Sequence, residues 1–279
     1  MKKIGPLFIL LLLCACLALL MWMCVKFLQE RKRTDGITSS KKRFELPEDL
    51  PAGDTAYIPF YPENELHRRL HYVFSYSEKE RLANWVAYEL TPDELVRTTK
   101  RSGRFVKDKA IKNGVHSDEY KHSGYDRGHL APAADMAFSE EAMKESFLMS
   151  NVAPQLPYFN RGIWNSLENQ VRSWVSSDGA IYVVTGGVWN DRSNRLAEHS
   201  IPIPDYYYKV LFDTNRSSKG MIVFLIPHSD TRHSIFDYVI TVDSLEKVTA
   251  IDFFPQLPDS LEEALESEVR KSLWRDFCL

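Results

Sequence analysis

The sequence predicts an α+β fold in which a central, antiparallel-rich sheet is flanked by helices. Short segments rich in β-branched and aromatic residues recur along the chain, as is typical of strands. Two of these segments, Ile203–Asp213 and Met221–Pro227, are joined by a short polar stretch and are expected to pair as a hairpin. Other segments have apolar residues at helical spacing, most clearly from Leu261 to Trp274. With 44% hydrophobic residues among 279, the chain can bury a large core.

Residues 1–26 are predicted to form an N-terminal membrane anchor, because an uncharged apolar run extends from Leu7 to Val25. As a helix this run would extend about 28 Å, close to the roughly 30 Å hydrocarbon core of a bilayer. A cleaved signal peptide is the alternative, although its apolar region is usually only about 7–15 residues long. Residues 27–56 are basic and polar and are predicted to be a flexible linker to a domain over residues 57–279.

The residue patterns of this domain also give the order of its elements. The predicted strands are Tyr72–Tyr76, Trp85–Leu90, Ala180–Thr185, Ile203–Asp213 and Met221–Pro227. The predicted helices are Ser139–Phe147, Pro157–Val175 and Leu261–Trp274. The third helix has leucine and valine on one side and glutamates on the other, which predicts that it packs on the domain.

The segment Asp126-Arg127-Gly128-His129 places a base beside a permanent cation. A histidine with a pKa near neutrality can take a proton from water. The planar guanidinium of Arg127 can hold two phosphate oxygens at once. Gly128 lets the backbone bend tightly between them. These residue types are suited to binding a phosphate and activating water beside it.

A metal site is predicted on the helix after Pro157. Asn160, Trp164 and Glu168 are spaced i, i+4, i+8, so they are expected on one side of that helix. An asparagine carbonyl is a neutral oxygen ligand suited to a Mg²⁺ ion that keeps most of its waters. Glu168 could hydrogen-bond those waters without binding the ion. Together with His129, this set indicates metal-assisted cleavage of a phosphodiester.

The overall charge does not mark the chain as a nucleic-acid binder, because the net charge is -3 and the isoelectric point about 6.3. Basic residues are nevertheless concentrated between Arg97 and Lys112, directly before the histidine motif. This segment is either a contact surface for the phosphate backbone or a solvated loop.

The three motifs together resemble those of the DNA/RNA non-specific endonucleases of the ββα-metal class, a family that includes endonuclease G. The family pattern is Asp-Arg-Gly-His-Leu-Ala-Pro, then Asn-x-x-Pro-Gln, then Asn-x-x-x-Trp-x-x-x-Glu. This chain has the three motifs in that order at residues 126–132, 151–155 and 160–168. The resemblance covers about residues 70–255 and implies the ββα-metal nuclease fold. It also implies a helix and a final core strand between Val239 and Phe254.

The resemblance implies the site residues as well. His129 is expected to be the general base, and Asn160 to bind Mg²⁺, for which Mn²⁺ or another divalent cation can substitute. Glu168 and Asn151 are expected to complete the catalytic site by holding the water network around the ion. An alternative for Asn151 is that its side chain caps a turn.

Phosphate binding is expected from Arg127 and from one arginine of the basic segment. Arg101 and Arg104 are both candidates for that second arginine, and Arg104 is preferred. Asp126 is expected to be a supporting residue that orients Arg127 by ion pairing.

The expected function is that of a metal-dependent, sugar-non-specific endonuclease that binds DNA and RNA through the phosphate backbone. The alternatives are a membrane-tethered nucleic-acid-binding protein without catalysis and a phosphodiesterase acting on small substrates. Residues 7–25 are expected to anchor the chain in a membrane, with the catalytic domain outside the cytoplasm, where it cannot attack the cell's own chromosome. The protein would be secreted if the segment is cleaved. The oligomeric state stays open, and a homodimer is one option.

Overall fold

A seven-stranded antiparallel sheet forms the centre of the part of the chain that the structure describes. This computed structural model describes residues 44–45, 53, 56–61, 65–101, 103–196, 201–215, 217–229 and 232–275. The strands in this part are β1 Phe44–Glu45, β2 Glu65–Arg68, β3 Val73–Ser77, β4 Leu82–Leu90, β5 Asp126–His129, β6 Val152–Gln155, β7 Ile181–Val188, β8 Arg195–Leu196, β9 Ile201–Pro202, β10 Tyr206–Asp213, β11 Ser217–Ser218, β12 Met221–Pro227 and β13 Val239–Ile240. The sheet has the order β13-β12-β10-β7-β4-β3-β2, and each neighbouring pair is antiparallel.

Helices lie on both faces of this sheet. The α-helices are α1 Glu140–Ser146, α2 Pro157–Phe159, α3 Asn165–Asp178, α4 Val242–Thr249, α5 Asp259–Glu266 and α6 Lys271–Arg275. Short 3₁₀ helices are Asp93–Leu95, Ser117–Tyr120, Met149–Asn151 and Ile235–Tyr238, and a π-helical turn is Asn160–Trp164. The predicted α+β class with an antiparallel sheet flanked by helices is confirmed.

Strand β10 shows how the sheet separates two cores. Successive side chains of a strand point to opposite faces. Tyr207 and Leu211 therefore pack into the core that contains the buried residues of α3, whereas Tyr208 and Val210 pack into the core that contains those of α4 and α5. Because both faces are covered, nearly the whole of β10 is buried, which explains why most of its residues are apolar or aromatic.

The predicted hairpin is confirmed, because β10 and β12 pair from Tyr206 opposite Pro227 to Phe212 opposite Met221. Strand β12 has the predicted bounds. Strand β10 begins three residues later than predicted, and Pro204, which has no N–H group for a ladder, lies in the gap.

The predicted helix Pro157–Val175 is not continuous. It is interrupted at Gly162, whose φ of -100° and ψ of -113° are not helical. α2, the π-helical turn and α3 therefore replace one regular helix. Glycine tolerates this backbone because it has no side chain to clash. Asn160 and Glu168 therefore do not lie on one regular helix as predicted, since the break lies between them.

The C-terminal predictions are partly correct. The expected helix is present as α4, which follows strand β13. The expected final core strand does not form, because the chain there makes only an isolated bridge between Phe60 and Asp252. Ala250, with a φ of 55°, ends α4 in the left-handed conformation and turns the chain away. The predicted helix Leu261–Trp274 is divided into α5 and α6, and its apolar residues Leu265 and Leu273 are buried as expected.

The predicted membrane anchor over residues 7–25 lies outside the described residues. Within the described part of the chain, no helix combines the length and the apolar character that crossing a bilayer requires. Part of the predicted linker is attached to the domain, since Phe44–Glu45 pair antiparallel with Ser217–Ser218.

Candidate active site

Strands β5 and β6 and the helical segment after them bring the three sequence motifs together. The strands pair antiparallel, with His129 opposite Val152 and Asp126 opposite Gln155. A Cβ atom at Gly128 would overlap the Gln155 side chain, so only glycine permits this close approach. α2, the π-helical turn and α3 follow directly after β6. The motifs thus form two strands followed by a helical segment.

A cleft of about 310 Å³ lies where these elements meet. Its lining includes four of the predicted site residues and three further arginines: Arg127, His129, Asn160, Glu168, Arg101, Arg161 and Arg172. Larger clefts of about 470 and 660 Å³ elsewhere in the described part contain none of these seven residues. Four arginines against one carboxylate give this lining a positive character that attracts a polyanion.

His129 is held as a neutral base at the edge of the cleft. Its side chain is 9% exposed, and its ring packs against Phe105 and Phe147 at centroid distances of 5.1 and 5.0 Å. Nε2 is buried without a hydrogen-bond partner among the described residues, and His129 contributes to the lining of the cleft. Burial, assisted by the positive charge of Arg101, lowers the pKa of His129 to about 3. The imidazole is therefore unprotonated at neutral pH and can accept a proton.

Arg127 is fixed by the backbone beside this base. Its Nε and Nη2 donate to the carbonyl oxygen of Ser117 at 3.1 and 2.6 Å. The guanidinium carbon lies 5.8 Å from the ring centroid of Phe105 and 5.9 Å from that of Tyr120. Its Nη1 makes no hydrogen bond to any described residue, so it can donate to a ligand in the cleft.

Asp126 contacts Asn160 and Arg161. Nε and Nη2 of Arg161 donate to the two carboxylate oxygens of Asp126 at 2.9 and 2.8 Å. Nδ2 of Asn160 donates to Oδ2 of the same carboxylate at 3.0 Å. The prediction that Asp126 pairs with Arg127 is wrong, because neighbouring side chains of β5 point to opposite sides. The actual contact orients the Asn160 amide and leaves its Oδ1 available.

Glu168 lies close to a buried lysine. Lys209, 1% exposed, donates from Nζ to Oγ1 of Thr185 at 2.6 Å and lies 5.0 Å from the ring centroid of Trp164. Burial raises the pKa of Glu168; the positive charge of Lys209 opposes that rise, and the negative charge of Asp135 adds to it. Burial likewise lowers the pKa of Lys209, against the attraction of Glu168. Each charge therefore favours the ionised form of the other.

Sequence reasoning missed Arg172 and Lys209. Nη1 of Arg172 donates to Oδ1 of Asp135 at 2.5 Å, and the hydroxyl of Tyr88 donates to the other oxygen of that carboxylate at 2.7 Å. Two signals could have revealed these residues. Arg172 lies four positions after Glu168, on the same side of α3. Lys209 interrupts an otherwise apolar and aromatic strand.

The structure brings Arg101, not Arg104, to the cleft. Arg101 lines both the cleft and an adjoining cavity of about 440 Å³, and its guanidinium carbon lies 5.9 Å from the ring centroid of Phe147. Arg104 is exposed and belongs to neither lining. The sequence-based preference for Arg104 is therefore not supported by the position of its side chain.

Asn151 lies behind the cleft and is fully buried. Its Oδ1 accepts from the backbone N–H of Ala131 at 2.8 Å. Its Nδ2 donates to the carbonyl oxygens of Ala131 and Ser146, both at 2.9 Å. These bonds use the whole amide to hold the segment after His129. The side chain therefore bonds to backbone groups, as in the alternative of a turn cap, and Asn151 is not among the residues that line the cleft.

The cleft residues suit a hydrated divalent cation. Asn160 presents a neutral oxygen whose orientation Asp126 fixes, and Glu168 lines the same cleft. Among the described residues, the group of three carboxylates, histidines or cysteines that could share an ion lies on α4 and α5, not in the cleft. A single amide oxygen with water around the ion is an arrangement that Mg²⁺ tolerates.

Comparisons with known proteins identify the family of this chain. The family model described as DNA/RNA non-specific endonuclease matches residues 54–260. A nuclease of Nostoc sp. is 31% identical over 232 residues, which are 78% of this chain and 83% of that protein. Mitochondrial endonuclease G of Homo sapiens is 30% identical over 212 residues, which are 69% of this chain and 70% of that protein.

A solved structure, a crystal structure of the EndoG/EndoGI complex, matches with a TM-score of 0.66 and 26% identity. The match covers 72% of this chain and 90% of that chain. The matching family model extends over most of the predicted domain and contains all three motifs. The chain therefore belongs to the DNA/RNA non-specific endonuclease family and is a nuclease.

Proposed function

We propose that this nuclease hydrolyses phosphodiester bonds in both DNA and RNA, with His129 as general base and Mg²⁺ held by Asn160. The observation that carries the proposal is the convergence of a neutral imidazole, an oriented amide oxygen and several arginines on one cleft. Mn²⁺ or another divalent cation can take the place of Mg²⁺. When bound, the ion would neutralise negative charge on the phosphate and on the leaving oxygen.

His129 takes a proton from the attacking water in this proposal. We assign the proton transfer to Nδ1, because Nε2 is buried, and the lowered pKa of His129 keeps the imidazole unprotonated. The aromatic rings of Phe105 and Phe147 limit the positions that the imidazole can adopt. A base held in one orientation needs little reorganisation before it accepts a proton.

The arginines hold the substrate phosphate. Arg127 reaches the cleft with its guanidinium fixed to the carbonyl oxygen of Ser117, and we assign the second phosphate contact to Arg101. Arg172 is paired with Asp135 and adds positive charge at the same cleft. These groups recognise phosphate oxygens and not base edges, so little sequence preference is expected.

Glu168 completes the site with a negative charge near the position assigned to the cation. Its ionised form is favoured by Lys209, which supports a role in binding water around Asn160. Asn151 supports the backbone after His129 and is not assigned a contact with substrate.

The test uses the purified full-length chain with supercoiled plasmid and with RNA, in Mg²⁺ and in EDTA. We expect both polymers to be cleaved in Mg²⁺ and neither in EDTA. His129→Ala should lower the rate by about 10²–10⁴-fold, the usual contribution of a general base. His122→Ala changes an exposed histidine outside the cleft lining and is the matched control. A folded protein that cleaves neither polymer with any divalent cation, or a fully active His129→Ala, would refute the proposal.

The membrane anchor over residues 7–25 and a catalytic domain outside the cytoplasm stay part of the proposal, together with secretion if the segment is cleaved. The anchor depends on the apolar sequence, and the placement outside the cytoplasm depends on the argument that the nuclease there cannot attack the cell's own chromosome. Fractionation of cells that produce the full-length chain, followed by protease protection, would test both. The choice between monomer and homodimer remains open.

A further inference from the structure

A second group of carboxylates lies on the face of the sheet opposite α3. Helices α4 and α5 both contribute buried leucines to the core on that face. Asp243 and Glu246 of α4 and Glu266 of α5 each offer an oxygen atom, and these atoms all lie within 4.8 Å of one another. None of the three lines the catalytic cleft.

The acids occupy adjacent turns of their helices. Asp243 and Glu246 are three residues apart on α4, and Glu262 and Glu266 are four residues apart on α5. Side chains at these spacings lie on the same side of a helix, where like charges repel. Such an arrangement is unfavourable unless a positive charge is shared between the helices.

Glu266 is the most deeply buried of these acids. It is 7% exposed, and its Oε1 is buried without a hydrogen-bond partner among the described residues. Oε1 of Glu262 is buried and unpartnered in the same way. Glu246, by contrast, is oriented by the backbone N–H of Phe253, which donates to its Oε1 at 2.8 Å. A buried carboxylate without a partner is costly, so these oxygens require a ligand or a proton.

The charges around Glu266 are also of one sign. Burial raises the pKa of Glu266 to about 9, and the negative charges of Glu246, Glu262, Asp243 and Asp252 add to the rise. Lys247, which is exposed, lowers the pKa of Glu246. The charges that act most strongly on Glu266 are therefore all negative.

We propose that Asp243, Glu246 and Glu266 form a binding site for a calcium ion. Ca²⁺ accepts 6–8 oxygen ligands, several of which can be carboxylates, at about 2.3–2.6 Å. Oxygens on opposite sides of such an ion are about 4.6–5.2 Å apart, so oxygens up to 4.8 Å apart can share it. Mg²⁺ binds at about 2.0–2.1 Å and usually uses only one or two carboxylates.

The bound ion would connect α4 to α5 and thereby hold the C-terminal helices against the sheet. It is separate from the catalytic cleft and does not take part in cleavage. The site is independent of the proposed reaction, so its test uses protein stability and direct binding instead of nuclease activity.

The experiment measures thermal unfolding of the full-length chain in EDTA and during titration with CaCl₂. We expect the unfolding temperature of the wild-type chain to rise by several degrees and to saturate. Glu266→Gln should unfold at a higher temperature than wild type in EDTA, because folding no longer has to protonate a buried acid, and should lose the response to Ca²⁺. Glu263→Gln removes an exposed acid from the same helix and should behave as wild type. Asn160→Ala should also keep the response, which separates this site from the cleft.

Calorimetric titration of Ca²⁺ into the metal-free chain measures the number of Ca²⁺-binding sites directly. One saturable site should disappear in Glu266→Gln, and Asp243→Asn provides a second variant if Glu266→Gln does not fold. MgCl₂ should stabilise the wild-type chain less than CaCl₂ at the same concentration. The assignment would be overturned if the wild-type chain showed no Ca²⁺ response or responded more strongly to Mg²⁺. It would also be overturned if both cluster variants responded to Ca²⁺ as strongly as the wild type.

Discussion

Nδ2 of Asn160 donates to Oδ2 of Asp126 at 3.0 Å, and this contact determines which end of the amide is available in the cleft. The acceptor carboxylate is held in turn by Arg161 through two hydrogen bonds. The amide nitrogen is therefore used within the protein, and the oxygen that a cation would need is left free. Partners that orient a ligand in this way commonly affect metal affinity about 10–100-fold.

Asp126→Ala should accordingly weaken the binding of Mg²⁺ to the nuclease. We expect the Mg²⁺ concentration for half-maximal cleavage to rise about 10–100-fold, because the Asn160 amide is no longer fixed. The measurement is the rate of plasmid cleavage over a range of Mg²⁺ concentrations. Asp118→Ala, which removes an exposed acid outside the cleft lining, is the control. An unchanged half-saturating concentration in Asp126→Ala would show that this contact does not prepare the metal ligand.

Arg101 and Arg104 should differ strongly in their effect on cleavage. Arg101 lines the cleft beside His129, whereas Arg104 is exposed outside it. A hydrogen bond to a charged group contributes about 1.5–3 kcal/mol, which corresponds to roughly 10–150-fold in kcat/KM. We expect such a loss for Arg101→Ala and less than about a threefold change for Arg104→Ala. Steady-state kinetics on a short oligonucleotide would measure both, and the reverse order of effects would restore Arg104 as the phosphate ligand.

The acid limb of the pH–rate profile should depend on Glu168. The pKa of His129, lowered to about 3, lies below the range in which cleavage would be measured, so the ring is neutral throughout that range. Burial raises the pKa of Glu168 towards that range, and Lys209 counteracts the rise. Because cleavage requires ionised Glu168, the rate should fall as the pH decreases through the pKa of this group.

Lys209→Met should therefore move the acid limb to higher pH. Loss of the positive charge makes ionised Glu168 less stable, so its carboxyl group holds the proton to a higher pH. The measurement is kcat/KM across the pH range at saturating Mg²⁺. Lys219→Met is a matched control, because Lys219 is also 1% exposed but pairs with Asp178 away from the cleft. An acid limb that stays at the wild-type pH would exclude control of Glu168 by Lys209.

Local sequence patterns carried enough information to predict the sheet and most of the cleft. Strand β12 coincides with its apolar segment, and the hairpin with β10 follows from the short connection between them. His129, Arg127, Asn160 and Glu168 meet because the motifs are consecutive in the chain and β5 pairs with β6. These relationships follow from the order and spacing of the motifs along the chain, which the sequence shows directly.

The remaining parts of the site depend on contacts between distant residues. Lys209 approaches Glu168 from β10, which is separated from α3 by β7, β8 and β9, and no spacing rule connects the two. Asp126 contacts Asn160 and Arg161, which lie 34 and 35 positions later in the sequence. The choice between two nearby arginines depends on the path of an irregular segment. The sequence therefore identifies these residues but does not show which distant residues their side chains contact.

Asn151→Ala should lower stability more than it lowers the catalytic rate. The substitution removes three buried hydrogen bonds and leaves backbone groups of Ala131 and Ser146 without their partner. Each buried unsatisfied group costs about 1–3 kcal/mol, so the free energy of unfolding should fall by roughly 3 kcal/mol or more. Urea denaturation would measure this change. Asn165→Ala, at an exposed asparagine on α3, should leave the free energy of unfolding within about 0.5 kcal/mol of wild type.

Activity well below the unfolding temperature separates the two roles considered for Asn151. A residue that only supports the backbone should leave cleavage reduced by about tenfold or less, since small displacements of His129 still affect the rate. A residue that contacts the reacting groups should behave as His129→Ala does, with a loss of about 10²–10⁴-fold. Such a loss together with an unchanged free energy of unfolding would show that Asn151 contacts the reacting groups. The buried amide, with its hydrogen bonds all to backbone atoms, leads us to expect the first result.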